Sequence, residues 1–112
     1  MENKKLKVHG VLSAKEIEVL KKKHGELFKI VVDLNDNEQA VCYLRGLTRN
    51  DKSYVAQKMA KSDIYEVGKY ILANCKVGGD KRFETDDKVY DSAVLTAGDL
   101  FDFLPAELSK VE

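Results

Sequence analysis

With 112 residues and 12.6 kDa the chain has room for one core and not for a second. Lys and Arg number 19 and Asp and Glu number 19, so no global basic excess marks it as a generic phosphate-backbone binder. A charged fraction of 34% and the absence of any apolar run near the roughly 20 residues of a bilayer span argue against a membrane-embedded chain.

Residues 1–12 are Lys-rich and then briefly apolar at Leu6, Val8, Val11 and Leu12, which reads as a flexible basic arm whose end can pair with a sheet. Residues 13–112 read as one α+β domain. Ser13-Ala14-Lys15-Glu16 is a capping box that starts a helix near 14–24, with Lys21 to Lys23 in its last turn and Gly25 at its stop. ELFKIVVDL (26–34) and QAVCYLRG (39–46) are rich in β-branched and aromatic residues, and Asn35 to Glu38 between them is turn chemistry, so an antiparallel hairpin is predicted. Phe28, Ile30 and Val32 form the wholly apolar face and are the expected core side.

Thr48 stands three residues before Asp51, a capping box with Asp in place of Glu, so a helix is predicted over 49–61 with Tyr54, Val55 and Met59 inward. Ser62-Asp63 then opens a helix over 63–75, on which Ile64, Val67, Gly68, Ile71, Leu72 and Cys75 make one apolar stripe. Val77 to Asp80 reads as a stop and tight turn. Thr85 is the expected cap of a last helix over 86–97 with Val89, Tyr90, Ala93, Val94 and Ala97 inward, ending at Gly98. The expected architecture is a hairpin packed by about four helices.

The zero net charge hides an asymmetry. Residues 1–29 hold eight Lys against four Glu, and residues 84–112 hold eight acids against two Lys, so self-association through a basic and an acidic end is a candidate contact. Cys42 and Cys75 are far apart, and the chain shows no apolar leader segment, which together point to a reducing cytoplasm and to buried, inert thiols.

Asp33-x-Asn35-x-Asn37 imitates the opening of a calcium loop, but Glu38 stands where that loop needs Gly and Leu44 where it needs a bidentate Glu. Gly78-Gly79 is followed by Asp80, which suits no phosphate. No Cys or His spacing matches a metal site, and no nucleophile sits in an elbow. No catalytic residue, metal or cofactor is therefore expected, and the chain reads as a non-enzyme. Phe101, Phe103 and Leu104 crowd three large apolar residues into four positions and are the candidate partner-binding residues, the alternative being that they close the core.

Three stretches carry a likeness. They are LKKKHGELFKI from Leu20 to Ile30, ILANCKVGGD from Ile71 to Asp80 followed by Thr85-Asp86-Asp87, and AGDL from Ala97 to Leu100 followed by Ala106-Glu107-Leu108. In this order, over about residues 14–110, the chain resembles small phage and prophage proteins described as tail assembly chaperones, especially a group from Bacteroidales-type hosts. Lys76 departs from the aromatic common in that group, Arg45 to Arg49 (RGLTR) replaces its Lys-Pro-x-Arg turn, and Pro105 interrupts the tail.

The resemblance implies binding to the long helical tape measure protein, or to another tail or virion protein, in the cytoplasm of a bacterial host. The alternatives are a virion or connector component, and a small nucleic-acid-binding or host-defence-modulating phage protein. Lys21, Lys22, Lys23 and Arg45 are the residues a nucleic-acid patch would use.

Overall fold

A computed structural model describes residues 6–100 and 108–111. The candidates Phe101, Phe103 and Leu104 lie outside the described residues. The fold is α+β. In chain order the elements are β1 (Lys7–His9), α1 (Ala14–His24), β2 (Leu27–Asn35), β3 (Glu38–Arg45), α2 (Arg49–Ala60), α3 (Ile64–Cys75), β4 (Lys76–Gly79), α4 (Arg82–Thr85) and α5 (Asp87–Ala97), followed by a 3₁₀ turn over Gly98–Leu100.

The hairpin forms where the sequence places it. β2 and β3 pair antiparallel, with Ile30 opposite Cys42 and Val32 opposite Ala40. Its turn is held by its own side chains, as Asn35 Oδ1 accepts from the Asn37 N–H at 2.8 Å and Asn35 Nδ2 donates to Glu38 at 2.9 Å. Of the side chains that imitate a calcium loop, Asn35 is thus engaged in turn closure, and Asp33 accepts from Gln39 across the ladder at 2.7 Å.

Two further strands join this hairpin, one from the arm whose end is expected to pair with a sheet and one that local pattern does not announce. β1 runs parallel to the first half of β3, pairing Lys7 with Glu38 and His9 with Ala40. The end of the basic arm is therefore part of the sheet, and the sheet is mixed rather than purely antiparallel. β4 runs antiparallel to the second half of β3, with Cys42 opposite Gly79 and Tyr43 opposite Gly78. The Gly pair read as a stop and turn is an edge strand. Gly79 has φ +133° and a Cβ there would sit 2.5 Å from Cys42 Cα, so the position requires glycine because β3 approaches it closely.

α3 and α5 cover the sheet face formed by Ile30, Ala40, Cys42 and Leu44. Val67, Ile71, Leu72 and Cys75 of α3 and Val89, Ala93, Val94 and Ala97 of α5 complete this core, with Val55 added from α2. The expected stripes hold with two exceptions. Ile64 is 53% exposed at the first turn of α3, beside Gly98 at the end of α5, and Met59 is 38% exposed in the last turn of α2, beyond Val55, the one buried apolar residue of that helix. Phe28 lies on the predicted core face but at the strand end, where helix cover stops, and stays 39% exposed.

The N-cap of α5 is Asp86, not Thr85. Its carboxylate accepts from the N–H groups of Lys88 and Val89 at 3.0 and 3.2 Å. Thr85 instead ends the four-residue α4, donating to the Lys81 carbonyl at 3.2 Å. This short helix delivers Phe83 into the core at 2% exposure. At Gly98 the chain tightens into the 3₁₀ turn with helical φ and ψ of −57° and −26°, so the last helix ends by tightening rather than by reversal.

Both cysteines are free and fully buried. Burial pushes the Cys42 thiol up to about 11 and raises that of Cys75 as well, against a lowering by the nearby cations of Lys76 and Arg45 respectively. The thiolate is the reactive species, so neither cysteine should react with a thiol reagent at neutral pH in the native state. Both should react at once in denaturant; rapid native labelling of either would show that its surroundings open.

Candidate functional site

Two surfaces hold the chemistry the described residues offer, an apolar groove beside α1 and a polar staple around Asp51. The groove arises because β3 must be covered on both faces. Val41 and Tyr43 alternate away from α3 and α5, yet are 3% and 8% exposed. The segment Gly10 to Leu12 lies against them, with Gly10 close to the Val41 carbonyl, the Leu12 N–H donating to Tyr43 Oη at 3.4 Å and the Leu12 side chain seated over Gly78 of β4.

α1 is well capped, as Ser13 Oγ accepts from Glu16 N–H at 3.1 Å and Glu16 reaches back to the Ser13 N–H at 3.2 Å. It nevertheless buries no residue completely. Ile17 and Leu20, the predicted face, are half-buried, while Val19 remains 58% exposed. Leu12, Val19, Leu20, Val77 and Gly78 therefore line an open groove of about 510 Å³ between α1 and β4, with Lys15 and Glu16 on its rim. Val11, next to Leu12, is itself 59% exposed. The groove has apolar walls and a border of mixed charge, and Lys21 and Lys22 line a separate concavity on another face of α1 with Ile17 and Glu18.

The staple joins β3, α2 and α3. Asp51 is 4% exposed, and its carboxylate accepts from Arg45 Nη1 at 2.8 Å, from the Thr48 N–H at 2.9 Å and from Tyr70 Oη at 2.8 Å. Arg45 also donates to the carbonyls of Gly46 and Asn74, at 2.9 and 2.8 Å. Tyr70 stacks on Tyr54 with ring centroids 4.2 Å apart. Burial by itself raises the pKa of a carboxyl, but here the Arg45, Thr48 and Tyr70 donors outweigh it and hold Asp51 well below the usual carboxylate range. The bonds to Asp51 raise the Arg45 guanidinium and the Tyr70 phenol. Every partner is satisfied, so the cluster acts as a cross-link between elements, with its charges mutually neutralised.

This arrangement redistributes the residues of the predicted basic patch. Lys23 and Arg45 line one concavity with His24 and Lys52, whereas Lys21 and Lys22 do not. Glu26 shares that concavity and Asp51 balances Arg45. Lys76, the departure from the likeness at an aromatic position, pairs with Glu84.

Sequence reasoning did not reach the groove, because one of its walls is β4, nor the staple beyond the Thr48–Asp51 cap. The Asp51–Tyr70 bond spans 19 residues and leaves no local pattern. No helix among the described residues is long and apolar enough to cross a membrane. Comparison with family models, with curated proteins and with solved structures finds no match to this chain.

Proposed function

We propose that this chain is a non-enzymatic, protein-binding phage protein that acts as tail assembly chaperones do, holding an apolar helical stretch of the tape measure protein in the host cytoplasm until the tail tube forms around it. The observation that carries this reading is the open groove between α1 and β4, apolar within and carrying Lys15 and Glu16 at its border. Its chemistry suits an amphipathic helix: the apolar stripe gains by leaving water, and polar residues flanking the stripe can meet Lys15 and Glu16 at the border. The sequence likeness supports the same class of partner, and Phe101, Phe103 and Leu104 are proposed as a second contact for it.

Co-expression with the tape measure protein tests the proposal. Val19→Asp places a carboxylate in the groove at an exposed position, so the thermal transition should stay within a few degrees of wild type while co-purification falls at least about tenfold. Phe103→Asp should also release the partner. Unchanged melting together with unchanged partner binding in both variants would refute the assignment. A virion or connector component would instead be recovered stoichiometrically from mature particles, which a chaperone released on assembly would not.

A further inference from the structure

The outer edge of β2 carries a self-complementary pattern. β2 pairs with β3 on one side, and among the described residues no strand pairs with its other side. A nine-residue strand with a free edge presents N–H and C=O groups that can template another strand. Its side chains are not those of a uniformly guarded edge. Lys29, Val31 and Asp33 share the face turned away from α3 and α5, all three exposed, with Val31 at 42%.

We propose that β2 pairs antiparallel with β2 of a second copy about a two-fold axis at Val31, joining the two sheets into one. In this register Lys29 stands opposite Asp33 of the second copy, and Asp33 opposite its Lys29, so one symmetric contact makes two ion pairs. Val31 meets Val31 between them on the same face, and Ile30 meets Val32 on the helix-covered face. A shift of the axis to residue 30 or 32 removes both charge pairings, and in-register parallel pairing sets Lys29 against Lys29. The pattern therefore selects one orientation and one register, as directly opposed unlike charges stabilise and like charges destabilise a strand pair.

Within one copy Lys29 makes no ion pair with the described residues, while Asp33 is oriented on this face by the Gln39 amide. The contact is isologous and closes at two chains. It is separate from the α1 groove and independent of the basic and acidic ends of the sequence.

Sedimentation of the full chain over a concentration series tests this directly. The wild type should be a dimer, and Lys29→Asp and Asp33→Lys should each raise the dimer dissociation constant about tenfold or more, because each turns two attractions into repulsions. Both positions are exposed, so circular dichroism should show both variants folded. The two single variants mixed in equal amounts should form a heterodimer, since one strand then carries acids at both positions and faces a strand that carries lysines at both. The doubly exchanged chain should dimerise with itself. A wild type that stays monomeric at its highest soluble concentration, single variants that dimerise like wild type, or a mixture that stays monomeric would each overturn the proposal.

Discussion

Asp51→Ala should lower the stability of the domain by about 3 kcal/mol, because removing one partner of a largely buried ion pair leaves the other uncompensated. Three losses coincide. Arg45 loses its carboxylate, Tyr70 loses its acceptor, and α2 loses the reciprocal half of its capping box at the Thr48 N–H. Asp51→Asn keeps the shape and one acceptor oxygen, and should cost less. Arg45→Met in the Asp51→Ala background should cost less than it does in the wild type, a coupling of about 1 kcal/mol or more in a double-mutant cycle.

The acid limb of stability carries the same signature. The Asp51 carboxyl has a lower pKa in the fold than the value of about 3.9 usual for an unfolded chain, so below that value the unfolded state binds more protons than the native one. Its contribution is complete above the unfolded pKa and fades as the pH falls towards the folded one. The gap between wild type and Asp51→Ala in urea unfolding should therefore be full at neutral pH and narrow below about pH 4. A gap that is small at neutral pH, or that does not change on acidification, would show that the carboxylate is not held by these donors.

What the sequence made legible was local chemistry. The boxes at Ser13–Glu16 and Thr48–Asp51 each contain both halves of a reciprocal cap within four residues, and both form as read. The α3 stripe at helical spacing and the β-branched runs around Asn35 to Glu38 are equally short-range, and they too appear where expected. β4 was not legible, since Lys-Val-Gly-Gly has poor intrinsic strand character and becomes a strand only because the second half of β3 offers a free edge. Phe83 is hidden from a sequence reading for a related reason. It sits in a four-residue helix too short to show a period, and its burial depends on the distant stripes of α3 and α5.

The site followed the same division. α1 and its lysines could be drawn from sequence, but the groove needs Val77 and Gly78 as its opposite wall and could not be seen without β4. The Arg45–Asp51–Tyr70 staple shows why a charge that looks free in a sequence can be neutralised in the fold, as Arg45 groups with Lys21 to Lys23 on paper and is instead bound to Asp51 and two carbonyls. The pattern on β2 was in the sequence throughout. Its meaning depended on knowing that β2 lies at the edge, and that Lys29 and Asp33 share its uncovered face.

Gly68→Ala is expected to be among the most damaging single-methyl additions available in this chain, against the rule for exposed helix positions, where the same change stabilises by about 1 kcal/mol. Gly68 lies on the stripe of α3 that faces α5. A Cβ built there would lie 1.9 Å from the Val94 carbonyl oxygen, 2.7 Å from its carbonyl carbon and 2.9 Å from Cγ1. Two of these atoms are backbone within α5, so rotamer change cannot relieve the contact and the helices must separate. Separation draws Val67 and Ile71 away from Ala93, Val94 and Ala97, which form one continuous core with the sheet. Overpacking of a core costs about 1–3 kcal/mol and more where the backbone itself must move, so the helix-propensity gain is overtaken. At about 4 °C per kcal/mol for a domain of this size, the melting temperature should fall by about 10 °C. Gly98 supplies the control, since it has helical dihedrals and a Cβ there meets only Ile64 Cγ2 among the described residues, at 3.9 Å. Gly98→Ala should raise the melting temperature by a few degrees, by about 1 kcal/mol at most. Equal responses of the two variants would show that α3 and α5 do not approach at Gly68.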